Sequence, residues 1–234
     1  MTTTTTTTQF HLNVEIATAA MIRGDFEGAS RLLRESLDVF RAIDLHTNQV
    51  REMAQERPVA PSVVASTKGR ISLLTPGEVE DGDAFSPNNA IGRIKTAFLL
   101  PPLSASLENH HVGIVLLYNM GLALHCQGML KAKHSMLRSA KKFYKLTLSL
   151  LTSSLVMDSE WGDWWKVLCM SALTNLGNIA SHFLDYEEMS ICCRRVLQCM
   201  DQGQSGIPSE EWLFFSQVVF EVCEFVGPSM AAAA

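Results

Sequence analysis

Histidine and cysteine are the side chains of this 234-residue chain best suited to metal binding or nucleophilic chemistry. None of them has the Cys-x-x-Cys or His-x-x-x-His spacing that directs two side chains to one metal ion. Neighbouring cysteines on a helix also point in different directions, so we expect buried, unreactive thiols and no metal site. The closest groupings are His110-His111, His125-Cys126, His134, and Cys192-Cys193 with Cys199.

Catalytic motifs are missing from the sequence as well. It contains no glycine-rich phosphate loop, no serine nucleophile elbow and no His-Glu-x-x-His zinc motif. We therefore predict a protein that is not an enzyme and that carries no cofactor. One catalytic hypothesis stays open: a helical enzyme that uses His110, His111 or His125. It would require a pocket that joins one of these histidines to Cys126 or to an acidic residue.

A second candidate site is a cluster of basic residues in the stretch from Lys131 to Lys145. At about 100° per residue, these side chains fall within one arc of a helix. No Asp or Glu occurs between Glu108 and Asp158 to neutralise them. They form either a cationic face for an acidic protein segment or phosphate, or a solvated outer face, which we favour. The members of the cluster are Lys131, His134, Arg138, Lys141, Lys142 and Lys145.

Composition and charge limit the class of protein. Hydrophobic residues make up 47% of the chain and charged residues 18%, which is enough for a folded core. The net charge of -5 gives no general attraction to nucleic acid. Free cysteines and the absence of a signal peptide favour the cytoplasm or nucleus. The run Val112–Leu130 is long enough to span a membrane, but its polar residues favour a buried helix and no membrane association.

The elements that must position these side chains are helices. Apolar residues recur at helical spacing over most of the chain, which predicts an all-α fold with about seven helices. We expect a disordered threonine-rich start (1–8), one helical domain (9–226) and a disordered tail (227–234). Asp25 and Asp185 are placed to cap helices. The predicted helices are 12–22, 26–56, 112–126 (ended by Gln127-Gly128), 130–155, 164–183, 186–200 and 209–226.

One region interrupts the helical pattern. The segment 58–107 is rich in proline and turn-forming residues, and we read it as an irregular insertion. Two apolar segments within it, Ile71–Leu74 and Thr96–Leu100, are short and bounded by breakers, which is typical of strands. They predict a short two-stranded β-ribbon. Because the insertion lies between helical hairpins, we also consider that it regulates access to a groove by folding over it.

The helices repeat as hairpins. Ala17 precedes Ala29 by twelve residues, and Gly177 precedes Met189 by twelve, by subtraction of residue numbers. In both hairpins an aromatic residue follows an aspartate in the turn. In the middle hairpin we align Gly121 with Ala17 and Gly177, which predicts either extra turns of helix or a longer loop there. Such pairs of antiparallel helices bury their apolar faces by stacking on each other.

This pattern resembles the tetratricopeptide repeat (TPR). The match is carried by Leu176-Gly177 with Asp185-Tyr186-Glu187-Glu188, and by Gly24-Asp25-Phe26-Glu27 with Ala29. The resemblance implies an α-solenoid that binds a peptide or helix of a partner protein in a concave groove. It also places Asn119 and Asn175 on the groove, where their amides would bond a peptide; inter-helix hydrogen bonds are the other interpretation. We predict a protein-interaction module, with nucleic-acid or phosphate binding on the Lys131–Lys145 face as the alternative.

Overall fold

In the computed structural model of the protein, residues 2–54, 72–74, 97–99, 109–152 and 164–201 are described. The predicted helix 209–226, the tail and most of the insertion lie outside these residues. The described part is almost entirely helical, which confirms the all-α fold class. The elements are α1 (Thr2–Ile22), α2 (Phe26–Ala54), β1 (Ser72–Leu74), β2 (Ala97–Leu99), α3 (Asn109–Leu130), α4 (His134–Thr152), α5 (Trp164–His182) and α6 (Tyr186–Asp201).

Each helix packs against the next one in the chain, from α1 through to α6. The strands β1 and β2 lie within the two apolar segments of the insertion and pair antiparallel, with Leu73 opposite Phe98. Strand β2 also contacts α1 and α3. The start of the chain differs from the prediction, because α1 begins at Thr2 instead of following a disordered segment. The threonines extend a helix that is already formed, which adds one hydrogen bond per residue without the cost of starting a new helix.

The three helix-to-helix turns share one geometry. In each, the residue before the capping position has a positive φ: Gly24 at 80°, Ala132 at 49° and Leu184 at 58°. The next residue donates its backbone N–H to a carbonyl five positions earlier, as in Asp185 N to Ala180 O at 2.9 Å. This bond satisfies a carbonyl that the helix end leaves without a partner. The hairpins α1–α2, α3–α4 and α5–α6 are therefore joined in the same way.

Two of these turns also carry the predicted aspartate caps. An oxygen of Asp25 accepts a hydrogen bond from the backbone N–H of Gly28 at 2.9 Å. The equivalent oxygen of Asp185 accepts from the N–H of Glu188 at 3.2 Å. Both aspartates thus bind a donor three residues ahead, which is what a helix N-cap does. The sequence predictions for Asp25 and Asp185 are confirmed.

The middle hairpin corrects the sequence alignment. Lys133 occupies the turn position of Asp25 and Asp185, so Leu137 corresponds to Ala29 and Met189. The residue twelve positions before Leu137 is His125, by subtraction of residue numbers. His125, and not Gly121, therefore corresponds to Ala17 and Gly177. Of the two predicted alternatives, the longer loop is wrong, since all three turns have the same length. Helix α3 instead extends further beyond Gly121 than α5 extends beyond Gly177.

The predicted break at Gln127-Gly128 is also wrong, because α3 continues to Leu130. Gly128 has a packing role inside the helix. A Cβ at this position would lie 2.8 Å from Leu137 Cδ2 and 3.1 Å from the Leu137 backbone nitrogen. The missing side chain lets α4 approach α3 closely at the end of the hairpin. Because α3 continues to Leu130, α4 begins only at His134. Lys131 therefore lies in the turn and not on the predicted helix.

Helix α3 lies at the centre of the core. Most of its side chains from Gly113 to Gly128 are buried. Among the described helices, only the segment Val112–Leu130 is long and apolar enough to cross a membrane, and 83% of that window is buried inside the protein. Gly113 faces the ring of Phe40 on α2, and Gly121 faces the ring of Tyr144 on α4. The helix is thus covered by both neighbouring hairpin helices.

Candidate functional site: a cleft between α4 and α6

The basic residues of the 131–145 stretch meet carboxylates from other hairpins. Lys131 forms an ion pair with Glu27, at the start of α2. Lys141 forms one with Glu188 and lies 3.5 Å from Asp185. Lys145 Nζ lies 2.6 Å from the other oxygen of Glu188. Glu188 therefore bridges two lysines of α4 and ties the start of α6 to the preceding hairpin.

The remaining basic residues have different environments. The guanidinium carbon of Arg138 lies 5.9 Å from the centre of the Phe183 ring, within the range of a cation–π contact. Lys142 is exposed and forms no ion pair with any residue in the described ranges. His134 packs edge-to-face against His182 and Phe183. The predicted cluster is therefore divided: Lys131 is paired with the first hairpin, Lys141 and Lys145 are paired with the third, and His134 and Arg138 contact Phe183.

These contacts shift the ionisation of the groups at the start of α6. The backbone N–H of Glu188 has the largest effect on Asp185 and lowers its pKa, and the charge of Lys141 adds to this against the opposing effect of desolvation. Burial by itself lowers the pKa of Lys141, but Glu188 and Asp185 outweigh it and raise the pKa. On the first hairpin, the hydrogen bond and charge of Lys131 lower the pKa of Glu27.

The two asparagines predicted to line a groove are fully buried. Asn119 and Asn175 have no exposed surface, so neither side chain is presented to a ligand. Asn175 donates from Nδ2 to the hydroxyl oxygen of Tyr118 at 3.2 Å. This bond joins α5 to α3, which is the other interpretation that the sequence left open. The reason for the error is the packing of α3 and α5 in the core, which buries this part of the first helix of both hairpins.

The same contact belongs to a buried polar network across three helices. The Tyr144 hydroxyl lies 3.5 Å from His125 Nδ1. His125 Nε2 lies 3.2 Å from the side-chain oxygen of Asn178. Burial raises the pKa of both Tyr118 and Tyr144. A satisfied network of this kind fixes the relative positions of α3, α4 and α5, and it gives His125 a structural place in the core.

The cysteines match the prediction of buried, unreactive thiols only in part, because Cys193 and Cys199 are half-buried and the hydrogen bond from Cys169 lowers the pKa of Cys199. All five in the described ranges are free, and Cys126, Cys169 and Cys192 are buried. Burial raises the pKa of Cys192 to about 12, which keeps it in the thiol form. No group of three or more metal-binding side chains occurs among the residues that the structure describes. The side chains of His110 and His111 lie outside that set.

One concave feature of the described surface is a cleft of about 530 Å³ between α4 and α6. Its floor is formed by Leu173 and Leu176 of α5. The α4 wall begins at the Lys141–Glu188 ion pair and ends at the hydroxyls of Ser149 and Thr152. We refer to it as the α4–α6 cleft. The α6 wall consists of Asp185, Glu187, Glu188, Ile191, Cys192 and Arg195, and Leu148 and Lys145 complete the α4 wall.

The cleft combines apolar and charged side chains. Apolar side chains line the bottom, the lysines lie on the α4 wall, and the carboxylates and Arg195 lie on the α6 side. Ile191 is 42% exposed and projects from the α6 wall. Arg195, at the end of the cleft away from Glu188, forms no ion pair with a described carboxylate. None of the described histidines lines the cleft, so the catalytic hypothesis gains no support from it.

Sequence reasoning missed this cleft because it placed the groove on the first helix of each hairpin. The available signal was Ile191, a large apolar residue outside the buried stripe of Met189, Cys192 and Val196. No family model, no curated protein and no solved structure matches the chain.

Proposed function

We propose that the protein is a non-catalytic protein-interaction module, built as a TPR-like stack of helical hairpins, that binds a segment of a partner in the α4–α6 cleft. The observation that carries this proposal is the cleft itself, which combines an apolar floor with charged walls. Ligand sites in proteins commonly have this composition, with a few polar groups that fix orientation. The cleft volume is suited to a few residues of an extended or helical segment.

The stack is supported by the three equivalent turns and by the packing of each helix on the next. In a stack of this kind each hairpin contacts mainly its neighbours, and a continuous surface runs along the array. The ion pair Glu27–Lys131 connects the first hairpin to the second, and the ion pair Glu188–Lys141 connects the second to the third. A partner bound in the cleft would contact the second and third hairpins together.

The cleft offers different contacts at its two ends. Near Glu188 the lysines of α4 are neutralised, so apolar contact with Leu148, Leu173 and Ile191 dominates there. At the other end, Arg195 and the hydroxyl group of Ser149 supply hydrogen-bond donors, and the Thr152 hydroxyl, which donates to the backbone carbonyl of Leu148, supplies an acceptor. We propose that a partner inserts one or two aliphatic side chains onto the floor and directs a carboxylate or carbonyl to Arg195.

The alternative, nucleic-acid or phosphate binding on the Lys131–Lys145 face, has less support. Lys131, Lys141 and Lys145 are neutralised by carboxylates of the same chain. Phosphate binding would have to displace these carboxylates, and it would weaken steeply with salt.

Two matched substitutions test the proposed cleft. Ile191 is 42% exposed and lines the cleft, whereas Leu146 is 47% exposed on α4 outside it. We expect Ile191→Asp to abolish capture of the partners that the full chain retains, while Leu146→Asp captures them as the unaltered chain does. Both variants should keep the helical circular dichroism spectrum. Equal capture by the two variants would show that the partners do not bind in the cleft.

A further inference from the structure

A strained backbone position carries an exposed leucine in the turn between α5 and α6. Leu184 has φ of 58°, and its side chain is 68% exposed. The equivalent residue of the first hairpin is Gly24, which adopts this conformation without steric cost. A leucine there is strained and gains little from packing within its own chain. Such a position points to a role outside the monomer.

Leu184 follows Phe183, which belongs to a cluster of rings at the ends of two adjacent hairpins. The ring of His134, at the start of α4, lies 5.6 Å from that of Phe183. Leu130, four residues before His134, is 71% exposed, and Tyr186 is 52% exposed. Large apolar side chains exposed together in this way commonly mark an interaction site. We call the surface formed by Leu130, His134, Arg138, Phe183, Leu184 and Tyr186 the turn patch.

The border of the turn patch is mainly cationic. Arg138 lies over the Phe183 ring, and Lys142 follows one helical turn later on α4. Neither forms an ion pair with a carboxylate in the described ranges, in contrast to Lys141 beside them. Asp185 is engaged by Lys141 and by its capping bond. The exposed Glu187 is the acidic side chain at the rim.

We propose that the turn patch is a second docking surface, separate from the α4–α6 cleft, for an acidic amphipathic segment of a partner protein. Aliphatic side chains of that segment cover Leu184 and Leu130, and its carboxylates pair with Arg138 and Lys142. The charge of the border selects an acidic segment over a basic one. In the complex, the side chain of Leu184 gains apolar contacts with the partner that offset the strain of its backbone.

The test uses the full chain and a fluorescein-labelled peptide with leucines at helical spacing and glutamates elsewhere. Fluorescence anisotropy should show binding of this peptide and no binding of a matched peptide with lysine in place of glutamate. Leu184→Gly should weaken binding about tenfold or more, as expected for losing one buried leucine. Ala132→Gly is the control, because it relieves the same kind of positive φ without removing a large side chain. It should bind the peptide as the unaltered chain does.

Other results would overturn the proposal. Unchanged binding by Leu184→Gly, or equal binding of the basic peptide, would show that the patch does not select an acidic segment. Self-association of the unaltered chain that Leu184→Gly abolishes in sedimentation would make a second copy the occupant. Leu184-dependent binding to vesicles of anionic phospholipid would make it a membrane. Ile191→Asp should leave peptide binding unchanged, so failure of the cleft and failure of the turn patch are distinguishable.

Discussion

The side-chain amide of Asn175 donates a hydrogen bond to the hydroxyl oxygen of Tyr118 across 3.2 Å, with both residues fully buried. Tyr118 belongs to α3 of the second hairpin and Asn175 to α5 of the third. The side chain of Ser171 also bonds to Tyr118. This contact therefore fixes one hairpin against the next at the level of the cleft floor, which α5 provides.

Tyr118→Phe removes this inter-hairpin bond while keeping the ring. The amide of Asn175 then loses one of its partners in a fully buried site, so we expect the free energy of unfolding to fall by about 1–2 kcal/mol. Urea denaturation measures the change. Tyr186→Phe is the control, because Tyr186 is more than half exposed, and it should change stability by less than about 0.5 kcal/mol. Equal effects would show that the Tyr118 hydroxyl contributes nothing.

Gly121→Ala and Gly177→Ala should have opposite effects. A Cβ at Gly121 would lie 2.9 Å from Cε1 of the buried Tyr144, whereas at Gly177 the nearest atom is Cys192 Cβ at 3.4 Å. Alanine favours the helix by about 1 kcal/mol at either position. At Gly121 the overpacking outweighs this, with a net loss of about 1–2 kcal/mol. At Gly177 we expect a neutral or stabilising result. Thermal unfolding of both variants checks the contrast.

The charge of Asp185 should stabilise the protein in a pH-dependent way. The pKa of Asp185 is lowered from its ordinary 3.8, first by the backbone N–H of Glu188 and then by Lys141. The unfolded chain therefore binds the proton more tightly, so the stabilisation is present above 3.8 and is lost as the pH falls through the folded-state pKa. Asp185→Asn keeps a capping residue and removes the charge. Its stability should fall below that of the unaltered chain at neutral pH and approach it in acid.

Relief of positive φ should stabilise the hairpins independently of binding. Ala132 and Leu184 have left-handed backbones in equivalent turns. Replacing either by glycine removes a steric cost, which the greater entropy of unfolded glycine partly offsets, leaving a gain of about 0.5–1 kcal/mol. Urea denaturation of Ala132→Gly and Leu184→Gly measures it. A loss of stability in both variants would contradict the assignment of strain to these turns.

Local sequence signals predicted the elements well where one residue type determines the geometry. Asp25 and Asp185 cap helices because their carboxylates reach a backbone N–H three residues ahead, and this requires no distant partner. The middle turn has the same geometry but lacks the capping aspartate. Ala132 occupies the position of Gly24 and Leu184, and Lys133 occupies the position of Asp25 and Asp185. The hairpin register, and with it the place of Gly121, could therefore not be read from turn residues.

Contacts between hairpins were beyond a local reading of the sequence. The absence of acids near Lys131 and Lys141 suggested unpaired cations, but their carboxylates come from positions 104 and 44 residues away. The burial of Asn119 and Asn175 likewise depends on how α3 packs on α5. Sequence periodicity shows which face of a helix is apolar, but it does not show which polar residue within that face will meet a partner such as Tyr118.

The central claim, that the α4–α6 cleft holds a partner segment, is tested most directly by site-specific photocrosslinking in the source cell. A benzophenone amino acid replaces Ile191 in the cleft wall, and a second chain carries it at Leu146, outside the cleft and similarly exposed. We predict that the probe at position 191 attaches to a defined segment of a partner protein, with an aliphatic residue at the attachment point, and that the probe at 146 does not. The same attachments from both positions, or none from 191, would contradict the account.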